Sequence, residues 1–360
     1  MEVEMESHTH PWHCLFVLIP RFNMMTLTAL LEPLRIANYL SHEQIYSHEF
    51  CSINDETVSA SNGMRQICQP LPETVKRNTT IFLLASWGGE AYANPKLLAW
   101  LRLQKRNGVQ ICGVEIGTYI LARAGLLNHH TATTHWSYLQ GFQEKFPEVK
   151  AVEQLYTEMG QIMTCAGGTA GFDLMLSFIS RYRSQTLAGE IADQIMHHPL
   201  RPAAAPQRVT HGRGVDSLPL GVREAVRIIE RNIEDPLRVA DIAKKVGISQ
   251  RQLERRFVAN FNCSVARFGQ LMRLQRARVL LVSTDLSISE ISTASGFNTQ
   301  SHFNLVFKKC FGRKPRHYRM AWPDSETAPK WPGTLSSFLN SVRKTSDKKD
   351  KCVTVDPDRP

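Results

Sequence analysis

Along the first half of the chain, short apolar runs alternate with longer stretches in which apolar positions recur every three or four residues. The runs HCLFVLIP (13–20), FCSI (50–53), TIFLLASW (80–87) and GVQICGV (108–114) are rich in Val, Ile and Phe and read as buried strands. Between and after them TLTALLEPLRIANYL (26–40), NPKLLAWLRLQKRNG (94–108), GTAGFDLMLSFISRY (168–182) and TLAGEIADQIMH (186–197) carry helical spacing. Strand and helix in alternation predict an α/β fold, a flavodoxin-like parallel sheet sandwiched by helices.

The pattern then changes. HHPLRPAAAPQRVTHGRGVDSLP (197–219) is made of prolines, glycines and alanines with almost no large apolar residue, and reads as a linker. From Leu220 to Trp322 the spacing is helical throughout, and beyond Trp322 a polar tail offers little to bury. The expected organisation is a first domain over 1–198, a linker over 199–218, an all-α domain over 219–322 and a disordered tail over 323–360.

Two segments of the helical domain share one grammar. In RVADIAKKVGISQRQLERRF an amphipathic helix ends at Gly247, Ser249 caps a second helix, and Leu253 and Phe257 face inward. In SISEISTASGFNTQSHFNLVF the order returns: a Ser287 cap, Ile288 and Ile291, the turn at Gly296, then Phe303 and Phe307. Each is a helix-turn-helix candidate, the alternative being a plain helical hairpin.

Charge sharpens the picture. Residues 219–322 carry 19 Lys and Arg against 8 Asp and Glu, whereas residues 1–218 carry 17 against 19. The net +10 of the 360-residue chain therefore sits in the helical domain, as expected when one domain meets a polyanion. Ser249, Gln250, Arg251, Glu254 and Arg255 lie at the start of one second helix, and Thr299, Gln300, Ser301, His302 and Asn304 at the start of the other. Arg suits guanine and Gln or Asn suits adenine in the major groove, while Lys244, Lys245, Arg256, Lys308 and Lys309 suit phosphates. Eight cysteines without a C-x-x-C pair suggest reduced thiols, and His129–His130 and His197–His198 lack companions for a metal site. No metal or cofactor is expected. No apolar run reaches the length of a membrane span and the N-terminus lacks a secretory pattern, so a cytoplasmic protein is expected.

GISQRQLERRF followed by ISEISTASGFNTQSHFNLVFKKCFGRKPRHYR resembles the DNA-binding domain of AraC/XylS-type transcription regulators. The match runs through Ala294, Gly296, Phe297, Ser301, Phe303, Phe307, Lys308, Phe311, Gly312, Pro315, Tyr318 and Arg319. The resemblance implies two recognition helices in successive major grooves, a homodimer, contact with RNA polymerase and activation. It also sets Leu305 where a basic residue often stands.

GVEIGTYILARAGLL (113–127) carries the other candidate site. Gly113, Glu115 and Gly117 have the small-x-nucleophile-x-small spacing of a sharp strand-to-helix elbow, with a carboxylate in the nucleophile's place. With LEPLRIANYL, SWGGEAY, ATTHW and CAGGTAGFDLML, this half resembles the PfpI-like, class I glutamine-amidotransferase-like fold over residues 13–198. Enzymes of that fold would have Cys at 115, an acidic residue at 32, donors near Gly88 and Gly89 and His at 135. A carboxylate is a weak nucleophile toward acyl carbon, so a reversible binding site is expected instead. The expected ligand set is Glu32, Trp87, Gly88, Gly89, Glu115, Ile116, His135 and Trp136. Glu32 and Glu115 would converge, a cation would relieve their repulsion, indole faces would add cation–π attraction, and glycine N–H groups would meet a carboxylate. A betaine, carnitine or basic amino acid fits that description. Two alternatives stay open: a cysteine-dependent enzyme fused to a DNA-binding domain, and a constitutive DNA-binding protein whose first domain only dimerises.

Overall fold

The computed structural model describes residues 11–320 apart from 54–55, 77, 87, 208–217 and 285. The chain forms two units, one ending at Arg208 and one beginning at Val209. The expected tail over 323–360 lies outside the described residues.

In chain order the first unit runs β1 (Trp12–Leu18), α1 (Met24–Ser41), β2 (Tyr46–Ser52), β3 (Thr57–Ser59), β4 (Arg65–Ile67), β5 (Gln69–Pro70), β6 (Thr79–Ala85) and a 3-10 turn at Gly89–Tyr92. It continues with α2 (Pro95–Arg106), β7 (Gln110–Glu115), α3 (Gly117–Arg123), β8 (Thr131–Ala132), α4 (Trp136–Lys145), β9 (Lys150–Ala151), β10 (Tyr156–Met159), β11 (Ile162–Cys165), α5 (Ala170–Tyr182) and α6 (Gln185–Gln194). Seven strands form one sheet in the order β10-β11-β7-β6-β1-β2-β5, parallel except for the β10–β11 hairpin.

Both faces of the sheet are covered. Along β1, Cys14, Phe16 and Leu18 enter one core with Leu27, Leu30 and Leu34 of α1 and Leu174 and Phe178 of α5. The alternate residues Leu15 and Val17 enter the opposite core with Leu97 and Leu101 of α2, Ile120 of α3 and Phe142 of α4. This period of two is why the central strands read as continuous apolar runs: every residue of β6 and β7 is buried, on one side or the other.

The boundary expected at residue 198 is moved by the structure. Residues 199–207 form a strap on the first unit. Arg201 pairs with the fully buried Asp173 of α5, its backbone N–H donates to Asp173 Oδ1 at 2.9 Å, and His197 Nε2 lies 3.0 Å from the same oxygen. Leu155 N donates to Ala203 O at 3.0 Å, and Ala203 and Ala205 pack on the core. The strap has the sequence character of a linker because its alanines are small and its anchors polar, so it shows no apolar periodicity. The rest of the expected linker, 208–217, lies outside the described residues.

The second unit is helical: α7 (Leu220–Arg231), α8 (Val239–Val246), α9 (Gln250–Phe261), α10 (Val265–Ser283), α11 (Ile288–Ala294), α12 (Gln300–Phe311) and α13 (Pro315–Met320). Helix α10 divides its apolar residues between two cores. Val265, Phe268 and Leu271 pack with α7, α8 and α9, while Leu274, Ala277, Leu280 and Leu281 pack with α11 and α12. The two helix-turn-helix pairs, α8–α9 and α11–α12, are thus two small cores on one spine.

Candidate functional site

The carboxyl ends of β1, β6 and β7 meet at the elbow, at the switch point where open α/β sheets bind ligands. Glu115 closes β7 with φ 53°, a left-handed conformation that costs a non-glycine residue roughly 1–3 kcal/mol. Its neighbours are glycines for reasons of space. A Cβ at Gly117 would stand 2.1 Å from Leu83 O, and one at Gly167 would stand 2.2 Å from Glu115 Cγ.

The Glu115 side chain is buried and surrounded by donors. Thr26 Oγ1 donates at 2.6 Å and Asn23 Nδ2 at 3.0 Å, both to Oε1. Gly168 N in turn donates to Thr26 Oγ1 at 2.7 Å. Burial pushes the carboxyl above the usual carboxylate range, while hydrogen bonds from Thr26, Ser86, Asn23 and the Gly168 N–H pull against that shift. Among the described residues no Lys, Arg or His forms an ion pair with Glu115.

The expected pairing of carboxylates is corrected. Glu32 lies six residues beyond Thr26 on α1, turned off its buried face, and its Oε2 accepts from Arg35 Nε and Nη2, each at 2.8 Å. Glu115 has Thr26, Asn23 and Ser86 where the sequence reading put Glu32. Of the two expected backbone donors, Gly89 N is engaged, donating to Ser86 O at 2.8 Å; Ile116 N, from the expected ligand set, donates to Ala85 O at 3.0 Å. Gly88, in left-handed conformation at φ 75°, follows closely on Ser86. Trp87 lies outside the described residues. Sequence reasoning missed Thr26 and Asn23, whose only signal was their place just after the first strand.

His135 and Trp136 follow Thr134, whose side chain reaches the Glu115 backbone. Thr134 Oγ1 donates to Glu115 O at 2.7 Å, and His135 follows as the N-cap of α4, its Nδ1 2.7 Å from Ser137 Oγ. The His135 and Trp136 rings lie 5.4 Å apart. On its far side the same segment meets the strap. Gln207 Nε2 donates to Thr134 O, Thr133 Oγ1 and Gln154 O at 2.8–3.0 Å, and its Oε1 accepts from Trp136 N at 2.6 Å.

In the second unit the two turns are built alike. Gly247 and Gly296 take φ 76° and 71°, and Ser249 and Thr299 cap the helices that follow, accepting from Gln252 N and His302 N. The side chains of Gln250, Arg251, Arg255, Gln300, Ser301 and His302 are exposed, as are those of Lys244, Lys245, Lys308 and Lys309. Asn304 is half-buried. Two residues are placed differently from the expectation. Glu254 Oε2 accepts from Val265 N at 3.0 Å and so anchors the start of α10, and Arg256 is half-buried beside Gly221.

Among the described residues no cluster of three His, Cys, Asp or Glu could hold a metal ion, and no helix is long and apolar enough to cross a membrane.

Residues 15–181 match the DJ-1/PfpI family, and residues 242–321 match a helix-turn-helix domain family. The chain is 34% identical to the HTH-type transcriptional regulator CdhR of Pseudomonas aeruginosa, over 88% of this chain and 94% of that one. It is 31% identical to the regulator GbdR of the same organism, over 86% and 84% of the two chains. With the regulator ArgR, also from that organism, it shares 32% identity over 84% and 92%.

Proposed function

Because the chain belongs to the AraC-type helix-turn-helix transcriptional regulators that carry a DJ-1/PfpI domain, we propose that it senses a small cationic or zwitterionic metabolite at the Glu115 elbow and reports it to DNA. The observation that carries this reading is a buried carboxylate that has hydrogen-bond donors but no cation among the described residues. A quaternary ammonium or guanidinium group would supply the missing charge, and the aromatic pair His135 and Trp136 follows directly on Thr134, which holds the Glu115 backbone. Betaines, carnitine and basic amino acids belong to this class. Glu115 takes the role alone, without Glu32.

Gln207 supplies the route to the reader domain. Segment 133–136 is held on one side by Glu115 and on the other by the last described residue of the strap. A ligand that displaces this segment weakens the Gln207 contacts and changes how much chain is available between the two units. The regulator acts as a cytoplasmic homodimer on paired half-sites, and ligand favours productive contact with RNA polymerase.

The enzyme alternative would need a thiolate near the elbow. Cys165, the cysteine beside Gly167, is fully buried, and burial pushes its thiol up to about 12, which makes it inert at neutral pH. Stoichiometric alkylation of a cysteine in the native protein, with turnover of a substrate, would revive that reading.

The test is thermal stability of the full-length protein across betaines, carnitine, amino acids and polyamines. A ligand at a hundred times its Kd should add about 2.7 kcal/mol, and Glu115→Gln should abolish the gain. A shift that persists in Glu115→Gln would remove Glu115 from the site.

A further inference from the structure

Helices α9 and α12 are two copies of one device. Each spans 12 residues, and along positions 251–260 and 301–310 the sequence of exposed, half-buried and buried residues is identical. Leu253 and Phe257 match Phe303 and Phe307 in the core, and Arg251 matches Ser301 on the outside. Four residues beyond Arg251, one turn along α9, stands the exposed Arg255. Its counterpart on α12 is Leu305, which is 67% exposed.

That residue contributes little to the fold. Its neighbours on the α12 surface are Ser301, His302, Lys308 and Lys309, all polar and exposed, and the helix holds no acidic residue. An exposed leucine in a basic, polar setting has no polar group to offer a phosphate or a base edge. It can offer apolar contact, and the apolar feature in the major groove is the C5-methyl of thymine.

We infer that Leu305 determines base specificity by packing against a thymine methyl in the half-site read by α12, while Arg255 occupies the equivalent place on α9 with a side chain suited to guanine. The inference rests on the reading of α9 and α12 as base-reading helices. It makes the two half-sites chemically different: one is selected by hydrogen bonds, the other in part by a methyl group.

Full-length protein is used to select duplexes from a random pool, and affinity for the selected duplex is measured by fluorescence anisotropy with each thymine replaced in turn by uracil. Uracil removes one methyl and keeps the base pair. One thymine in the α12 half-site should weaken wild-type binding about fourfold when replaced, the factor for burying one methyl-sized group. Leu305→Ala should bind the thymine and uracil duplexes equally at that position. Leu305→Arg should move the preference there from thymine toward guanine. Leu305 lies outside the cores, so neither variant removes a buried side chain.

The inference is overturned if no thymine is methyl-sensitive, if the sensitivity survives Leu305→Ala, or if Leu305→Ala weakens both duplexes alike. Failure to enrich any sequence from the pool would instead refute base reading itself, and the inference with it.

Discussion

Glu115 is a residue under two opposed demands. Its backbone takes a conformation that suits glycine, yet a glycine there would leave Thr26 Oγ1 and Asn23 Nδ2 without their acceptor. Its carboxyl is raised by burial and lowered by its donors, with burial ahead. A carboxyl raised in the folded state holds its proton more tightly than in the unfolded chain. Its contribution to stability is therefore complete below the ordinary value near 4.5 and is lost as pH rises through the folded value. Glu115→Gln has no such proton to lose. Without ligand, thermal melts from pH about 5 to about 8 should show the variant gaining on wild type as pH rises. A constant difference between the two proteins would mean that the folded carboxyl is not raised. The elbow itself was legible in the sequence because its glycines have fixed spacing. The partners of Glu115 were not, because Thr26 and Asn23 look like ordinary residues of a helix and its cap until the fold brings them to the end of β7.

At the scale of elements, the four apolar runs became β1, β2, β6 and β7, and the stretches with helical spacing became α1, α2, α5 and α6. The match is close because buried parallel strands and amphipathic helices leave strong periodic signals. The β10–β11 hairpin and α4 left weaker ones, being short and only partly apolar. The strap was illegible because its hold on the first unit is polar. Asp173 is fully buried and faces both Arg201 and His197, so removing the guanidinium leaves a buried charge with less compensation. Arg201→Ala should cost roughly 3 kcal/mol, the low end for breaking a buried pair, read by urea unfolding of the full-length protein. A loss below about 0.5 kcal/mol, the scale of an ordinary surface substitution, would show that the strap is not anchored there.

Over the whole molecule the division of charge follows the division of labour. The first unit is nearly neutral and carries one buried carboxyl at its elbow, while the second gathers the basic excess along its helices. Lys308 and Lys309 stand exposed at the far end of α12 from its capped N-terminus. If they meet phosphates, neutralising both as glutamine should lower affinity evenly across sequences and reduce the slope of log affinity against log salt by about 2 per half-site. A change in base preference with an unaltered slope would place them on base edges instead. Domain order, the paired turns and the charge asymmetry were all readable from the chain. The chemistry of the sensor pocket was readable only in part, since a pair of glutamates in sequence became one glutamate and a ring of uncharged donors in space.

The most direct test of the account is the affinity of the full-length protein for its selected duplex, measured by anisotropy with and without the quaternary ammonium and guanidinium compounds, for wild type and Glu115→Gln. A compound that changes wild-type affinity and has no effect on a variant that binds DNA normally in its absence is the predicted result. Equal responses in both proteins, or no response of wild type to any of these cations, would contradict the claim that Glu115 links a cationic effector to DNA.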